Sequence, residues 1–175
     1  MKGPAEIWQQ AADCFEQKLA AVGDDQWDVA TGCGDWTVKD LVEHTIFWQA
    51  NVGRILGADA SPEQGWDSVK AAIAGALTDP SALEGTIEGG PMNGMPKHQA
   101  MGLATGDALL HAWDLARAIG ADDTLPAEAV ESVHMGLARV PEQMLRSPNM
   151  FGPAVEVADD ASAQDKLVAF AGRQP

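Results

Sequence analysis

Residues 36–57 read WTVKDLVEHTIFWQANVGRILG, and their pattern decides the fold class. Thr37 is a good helix N-cap, and Asp40 three positions on makes a short capping box, in which each residue satisfies the other's orphan backbone N–H. Leu41, His44, Thr45, Trp48, Val52, Ile55 and Leu56 then share one face of a helix that runs to about residue 57. Trp36, just before the cap, is placed to staple onto Leu41. One member of that otherwise mainly apolar face, His44, is an imidazole.

The same period extends outward in both directions. Residues 4–22 carry Ile7, Ala11, Cys14, Phe15 and Leu19 at helical spacing, and Gly23-Asp24-Asp25 ends that run. A third helix is expected to start at Ser61-Pro62, with Pro at the favoured first position, Gln64 closing a second capping box, and Trp66, Val69, Ile73 and Leu77 as its stripe. Residues 78–98 are broken by Pro80, Gly85, Gly89, Gly90, Pro91, Gly94 and Pro96. They read as a long loop with a short strand or one helical turn around Ala82-Leu83, and loops of that length are often functional. A fourth helix is expected over 99–119, stopping at Gly120. A fifth begins near Pro126, with Val130, Val133 and Leu137, and reaches Arg146 with a kink or division at Pro141. The tail, 148–175, reads as an extended piece from Ala154 to Val157 and a short helix capped by Ser162 and ended by Gly172. Strand signals are almost absent, so the expected architecture is an all-α bundle of four longer helices with extra short ones.

Composition narrows the function classes. The 175 residues suit a single domain over 1–175, and 46% of them are hydrophobic, enough for a core. Twenty-six acidic residues against 11 Lys and Arg give a net charge of −15, which argues against nucleic acid or an anionic membrane as partner. No apolar run is long enough for a membrane span, and Met1 to Gln10 lacks the apolar stretch of a signal peptide. A cytoplasmic protein acting on a small molecule is expected. Cys14 and Cys33 are too few for a disulfide framework and read as reduced thiols. Asp24, Asp25, Asp28, Asp122, Asp123, Asp159 and Asp160 fall in expected loops. Of the acidic residues only Asp107 reads as buried by design.

Asp107 lies four residues before His111 on the fourth helix, so the two side chains share a face. Bundle cores build metal sites from inward carboxylates and imidazoles at such spacings. His44, Asp107 and His111 would supply two imidazoles and one carboxylate. Three protein ligands leave a position open for water or substrate, as in catalytic zinc sites, and the same set suits non-haem iron. A bare core Asp costs several kcal/mol in desolvation, which a divalent cation would offset. On spacing alone the other reading stays open: hydrogen-bonded core histidines and a solvated Asp/His pair. His98 and His134 read as structural or solvated.

Two segments carry a resemblance to a known family. Trp36-Thr37-Val38-Lys39-Asp40-Leu41-Val42-Glu43-His44, preceded by Cys33, resembles the W-x-V-x-D-L-x-x-H segment of the DinB/YfiT-like superfamily, and most closely its mycothiol-dependent maleylpyruvate isomerase N-terminal-domain group. His111-Ala112-Trp113-Asp114-Leu115-Ala116-Arg117-Ala118 resembles that group's second motif, H-x-W-D-L-A-x-A. Phe151-Gly152-Pro153 and Gly172-Arg173 are similar to the ending of small, single-domain actinobacterial-type members. The resemblance implies a DinB-like four-helix bundle holding a divalent metal, commonly zinc or nickel, on His44, Asp107 and His111. Two departures matter. The isomerase's carboxylate ligand is a Glu, one methylene longer than Asp107. The isomerase also has a C-terminal domain that supplies an arginine, which a 175-residue chain is not expected to hold, so its reaction is not inherited.

The expected function is therefore a metal-dependent thiol S-transferase or isomerase acting on a small electrophile, with a low-molecular-weight thiol of the mycothiol type as cofactor. The alternatives are a metal-dependent hydrolase and a non-catalytic metal- or ligand-binding bundle. Around the metal, Trp48 is placed to wall a pocket, although a Trp on that stripe is more often plain core. Trp113 and Asp114 lie off the metal-facing line: Asp114 is placed to pair with Arg117 or to hydrogen-bond a ligand histidine, and a structural role at the helix–helix contact is an equal reading. Cys33 is not expected to ligate metal. A homodimer is expected from the resemblance, with Met92, Met95 and Met144 as contributors.

Overall fold

The computed structural model describes residues 2–146 and 150–175. Its longer helices are α1 (Pro4–Ala20), α2 (Val38–Ile55), α3 (Gly65–Ala76), α4 (Lys97–Ile119) and α5 (Ala127–Leu137). Two short ones follow, α6 (Glu142–Leu145) and α7 (Ala163–Phe170). Among the described residues there is no sheet, only isolated antiparallel bridges between Ala30 and Thr37 and between Thr86 and Pro96. The fold is all-α, of the DinB four-helix-bundle type. No helix among the described residues is long and apolar enough to cross a membrane.

The start of α2 forms as its sequence dictates. The Asp40 N–H donates to Thr37 Oγ1 at 3.3 Å, and the Thr37 N–H donates to the Asp40 carboxylate at 2.9 Å. Trp36 turns its ring toward His44, with centroids 4.6 Å apart. The third helix does not begin at Ser61-Pro62 as one piece. Pro62–Gln64 forms a 3-10 turn, and Gly65, at φ +77°, breaks it from α3. That backbone angle is open to glycine at little cost.

The 78–98 loop contains one 3-10 turn at Pro80–Leu83, started by the Asp79 carboxylate accepting from the Ser81 N–H at 2.9 Å. The Ile87 N–H donates to Met95 O and the Gly94 N–H to Ile87 O, at 2.9 and 2.8 Å, so the loop is pinched shut rather than slack. Pro141 divides α5 from α6. The extended piece after Ala154 docks by one bond, from the Val155 N–H to Ala169 O at 2.9 Å; the opening of that tail at 148–149 lies outside the described residues. Of the methionines expected at a dimer surface, Met144 is exposed, whereas Met92 and Met95 are half-buried.

α4 is the centre of the bundle and packs against α1, α2 and α5. Every residue from Ala108 to Ala116 is buried, so this helix has no solvent face there. Alanines at 104, 108, 112 and 116 repeat every fourth residue, and all four are buried. Short side chains on one row let neighbouring helices approach closely. Buried polar groups fix the approach: Trp8 Nε1 on α1 donates to Gln49 Oε1 at 3.1 Å, and Gln49 Nε2 on α2 donates to the Ala104 carbonyl on α4 at 2.7 Å.

Candidate metal centre

α2 and α4 together bring three donor side chains to one point. His44 comes from α2, and Asp107 and His111 come from successive turns of α4. Asp107 Oδ1 lies 3.2 Å from His44 Nε2 and 3.5 Å from His111 Nε2. The two imidazoles meet edge to face, with centroids 5.2 Å apart. Trp36 covers both, at 4.6 Å from the His44 ring and 6.0 Å from the His111 ring. His44 is the open side of the cluster, with 37% of its side chain exposed against 15% for Asp107 and 11% for His111.

The donor atoms of His44, Asp107 and His111 all lie within 4.8 Å of one another, close enough to share one metal ion. The Asp107 carboxylate supplies the test of fit. Its Oδ2 is buried and has no hydrogen-bond partner. A buried anionic oxygen without a partner is costly, and a divalent cation bound at the three donors would supply what it lacks. Two imidazoles and a carboxylate are ligand types common to zinc, nickel and iron.

The far side of His111 is built from residues that the sequence placed less well. His111 Nδ1 donates to Asp114 Oδ2 at 3.0 Å. Asp114, only 3% exposed, is the buried acidic residue here, whereas Asp107, expected to be the one buried by design, is half-buried. Arg173 meets Asp114 with a two-pronged grip, Nε donating to Oδ1 at 2.8 Å and Nη2 to Oδ2 at 2.7 Å. The Cys33 thiol donates to the same Oδ2 at 3.2 Å. Cys33, His111 and Asp114 thereby form a second group of close donor atoms, sharing the His111 ring with the first.

Asp114 takes the second of its two expected roles, bonding a histidine rather than Arg117. Arg117 instead pairs with Asp123 at 3.3 Å and stacks over Trp113 at 5.2 Å. Trp113 is buried. Trp48 is half-buried against the core one turn beyond His44.

The charges in this cluster explain its titration. Burial pushes the His111 imidazole down, but the Asp107 charge and the Asp114 and Cys33 hydrogen bonds outweigh it and push the ring up to about 10. Burial likewise raises Asp114, yet hydrogen bonds from His111 and Arg173 hold it well below the usual carboxylate range. His111 is thus a position where positive charge is favoured. In the metal-free protein a raised histidine contributes stability that is complete below its unfolded value of 6.5 and is lost as pH rises through its folded value of about 10. Urea denaturation of chelator-treated protein is expected to show stability falling across that window. The His111→Gln variant is expected to show a flatter profile there.

Arg173 was the residue least visible in the sequence as a neighbour of the site, although Gly172-Arg173 stood out as a motif. Gly172 ends α7 at φ +82°, and a Cβ on it would come within 3.0 Å of the Gly152 carbonyl oxygen. Only glycine fits there. Arg173 Cζ lies 5.9 Å from the Phe151 ring, so Phe151-Gly152 and Gly172-Arg173, separated by some twenty residues, form one contact.

The mycothiol maleylpyruvate isomerase N-terminal domain family matches residues 8–82, a span that includes Cys33 and His44 but not Asp107 or His111. Uncharacterized proteins MT0763 and Rv0738, from two strains of Mycobacterium tuberculosis, are each 33% identical over 184 aligned residues, covering 97% of this chain and 97% of theirs. No solved structure matches. At that identity and coverage, the chain belongs to one family with these mycobacterial proteins, and residues 8–82 are similar to the mycothiol maleylpyruvate isomerase N-terminal domain.

Proposed function

We propose that this protein is a metal-dependent enzyme of thiol chemistry, an S-transferase or isomerase that joins a small electrophile to a low-molecular-weight thiol of the mycothiol type. The observation that carries the reading is the convergence of His44, Asp107 and His111 around an orphaned carboxylate oxygen, with one side open. The mycothiol element rests on the family match over residues 8–82 alone.

In this reading His44 Nε2, His111 Nε2 and one or both Asp107 oxygens hold a divalent ion, zinc or nickel by ligand type, with iron a further option. When bound, such an ion supplies Lewis acidity and favours the thiolate over the thiol at neutral pH. The chain does the rest. Asp114 accepts the His111 Nδ1 proton and so leaves Nε2 free to ligate. Trp36 lies over both imidazoles and keeps water off that side. The exposed edge of His44 leaves the approach for thiol and electrophile. Residues 1–175 act as one metal-binding unit in the cytoplasm, where low-molecular-weight thiols stay reduced.

The test is a conjugation assay on protein reloaded with zinc or nickel, using a model electrophile with and without added thiol. Product formation that needs both metal and thiol, and falls to background in His44→Ala, is the expected result. Metal-dependent ester or amide hydrolysis without thiol dependence would replace this reading with a hydrolase. A metal-loaded protein inert in both assays would leave a non-catalytic binding bundle.

A further inference from the structure

We infer that Arg173, from the segment after α7, is a positioning residue for the candidate metal centre and acts through Asp114 on the ring of His111. The inference rests on the metal reading above for its consequence, but its geometry stands without it. Asp114 has two oxygens, and all their partners are accounted for. Oδ1 accepts from Arg173 Nε. Oδ2 accepts from Arg173 Nη2, from His111 Nδ1 and from the Cys33 thiol. A fork-to-fork guanidinium–carboxylate pair fixes the plane of both groups, because two parallel hydrogen bonds leave no free rotation about either. With the carboxylate plane fixed, the direction in which Oδ2 receives the His111 proton is fixed too. The opposite nitrogen, Nε2, then points at Asp107.

Arg173 is itself held. Its Nη1 donates to the Ala171 carbonyl at 3.0 Å, and Gly172 turns the chain so tightly against Gly152 that no larger residue fits. A glycine-only turn, a ring contact with Phe151 and a half-buried guanidinium all serve to orient one carboxylate. A purely structural arginine needs only a counter-charge. This one is placed on the carboxylate that takes the Nδ1 side of His111, away from Asp107, and it reaches that carboxylate across 59 residues of sequence.

The experiment compares wild type with Arg173→Met, Arg173→Lys and a core control on α3, Ile73→Ala. Zinc and nickel dissociation constants are measured by competition with a chromogenic chelator. The His111 imidazole protons are followed by 15N-resolved NMR in the metal-free protein. Loss of an outer partner of a ligand histidine typically weakens metal binding about 10–100-fold, and Arg173→Met, one step further out, is expected to reach about the lower of these. Arg173→Lys is expected to recover part of the loss, since it restores charge but not the fork. Ile73→Ala is expected to lower the melting temperature while leaving affinity within twofold. In metal-free wild type the His111 Nδ1 proton is expected to be hydrogen-bonded and slow to exchange, and in Arg173→Met to exchange rapidly. The inference is overturned if Arg173→Met keeps both affinity and the protected proton, or if the wild-type proton is unprotected. Should wild type bind neither metal, the proposed function fails, and the proton signal alone still decides the role of Arg173.

Discussion

Asp107→Asn is expected to take the protein from one tightly bound divalent ion per chain to none retained through gel filtration. Asp107 sits between the two imidazoles, and its Oδ2 is the donor in the cluster without a protein partner. An amide keeps the shape but removes the negative charge that offsets the ion's own. Removing a ligand should exceed the 10–100-fold typical of outer partners. The effect is readable without any substrate. An ion present at a hundred times its dissociation constant stabilises the folded protein by about 2.7 kcal/mol. Wild type should show that gain in thermal melts on adding zinc or nickel, and Asp107→Asn should show none. A variant that still gains stability from added metal would remove Asp107 from the centre. Equal loss of structure in the metal-free variant, seen by far-UV circular dichroism, would make it a folding residue instead.

The largest stability effect is expected at Asp114. Asp114→Ala leaves the guanidinium of Arg173, with 16% of its side chain exposed, beside His111 with no carboxylate between them. Breaking a buried ion pair by removing one partner costs about 3–5 kcal/mol. Domains of this size are stable by about 5–15 kcal/mol in total. The variant should therefore unfold at a far lower urea concentration, and a fraction should be unfolded at 37 °C. Arg117→Ala is the contrast. Its half-exposed pairing with Asp123 and stacking on Trp113 are worth about 1 kcal/mol or less. If both substitutions cost the same, the Asp114 cluster is not the buried charge centre described above.

How far the sequence went can be judged residue by residue. α2 and α4 were legible because their ends carry chemistry, Thr37 with Asp40 at one start and Gly120 at one stop. The convergence of His44 with Asp107 and His111 was legible because helical spacing fixes faces and the two motifs named the helices. The break before α3 was not, because Ser61-Pro62 with Gln64 is a capping box that the chain does form, and only the backbone angle at Gly65 separates it from the helix. The bond of Asp114 to a ligand histidine was among its expected roles, but its burial was missed for a different reason. Periodicity assigns polar residues to a solvent face, and α4 has none from Ala108 to Ala116. Arg173 lay beyond any local rule, because its position depends on a turn at Gly172 meeting the backbone at Gly152. Cys33 joined the cluster the same way, through a loop bridge between Ala30 and Thr37 rather than through spacing.

The alanine row on α4 and the Gln49 clamp have a consequence for ion choice. The candidate ligands sit on two helices, so the size of the hole between them is set by the interaxial spacing of α2 and α4. That spacing is fixed by a hydrogen bond from Gln49 to the Ala104 carbonyl, which is itself tied to Trp8 on α1. An ion held by His44, Asp107 and His111 would meet a gap set by that spacing as well as by donor chemistry, which zinc, nickel and iron all tolerate. Selectivity would then be open to residues that never touch the ion, and resizing Ala104, Ala108 or Gln49 would be expected to shift it with every ligand left in place.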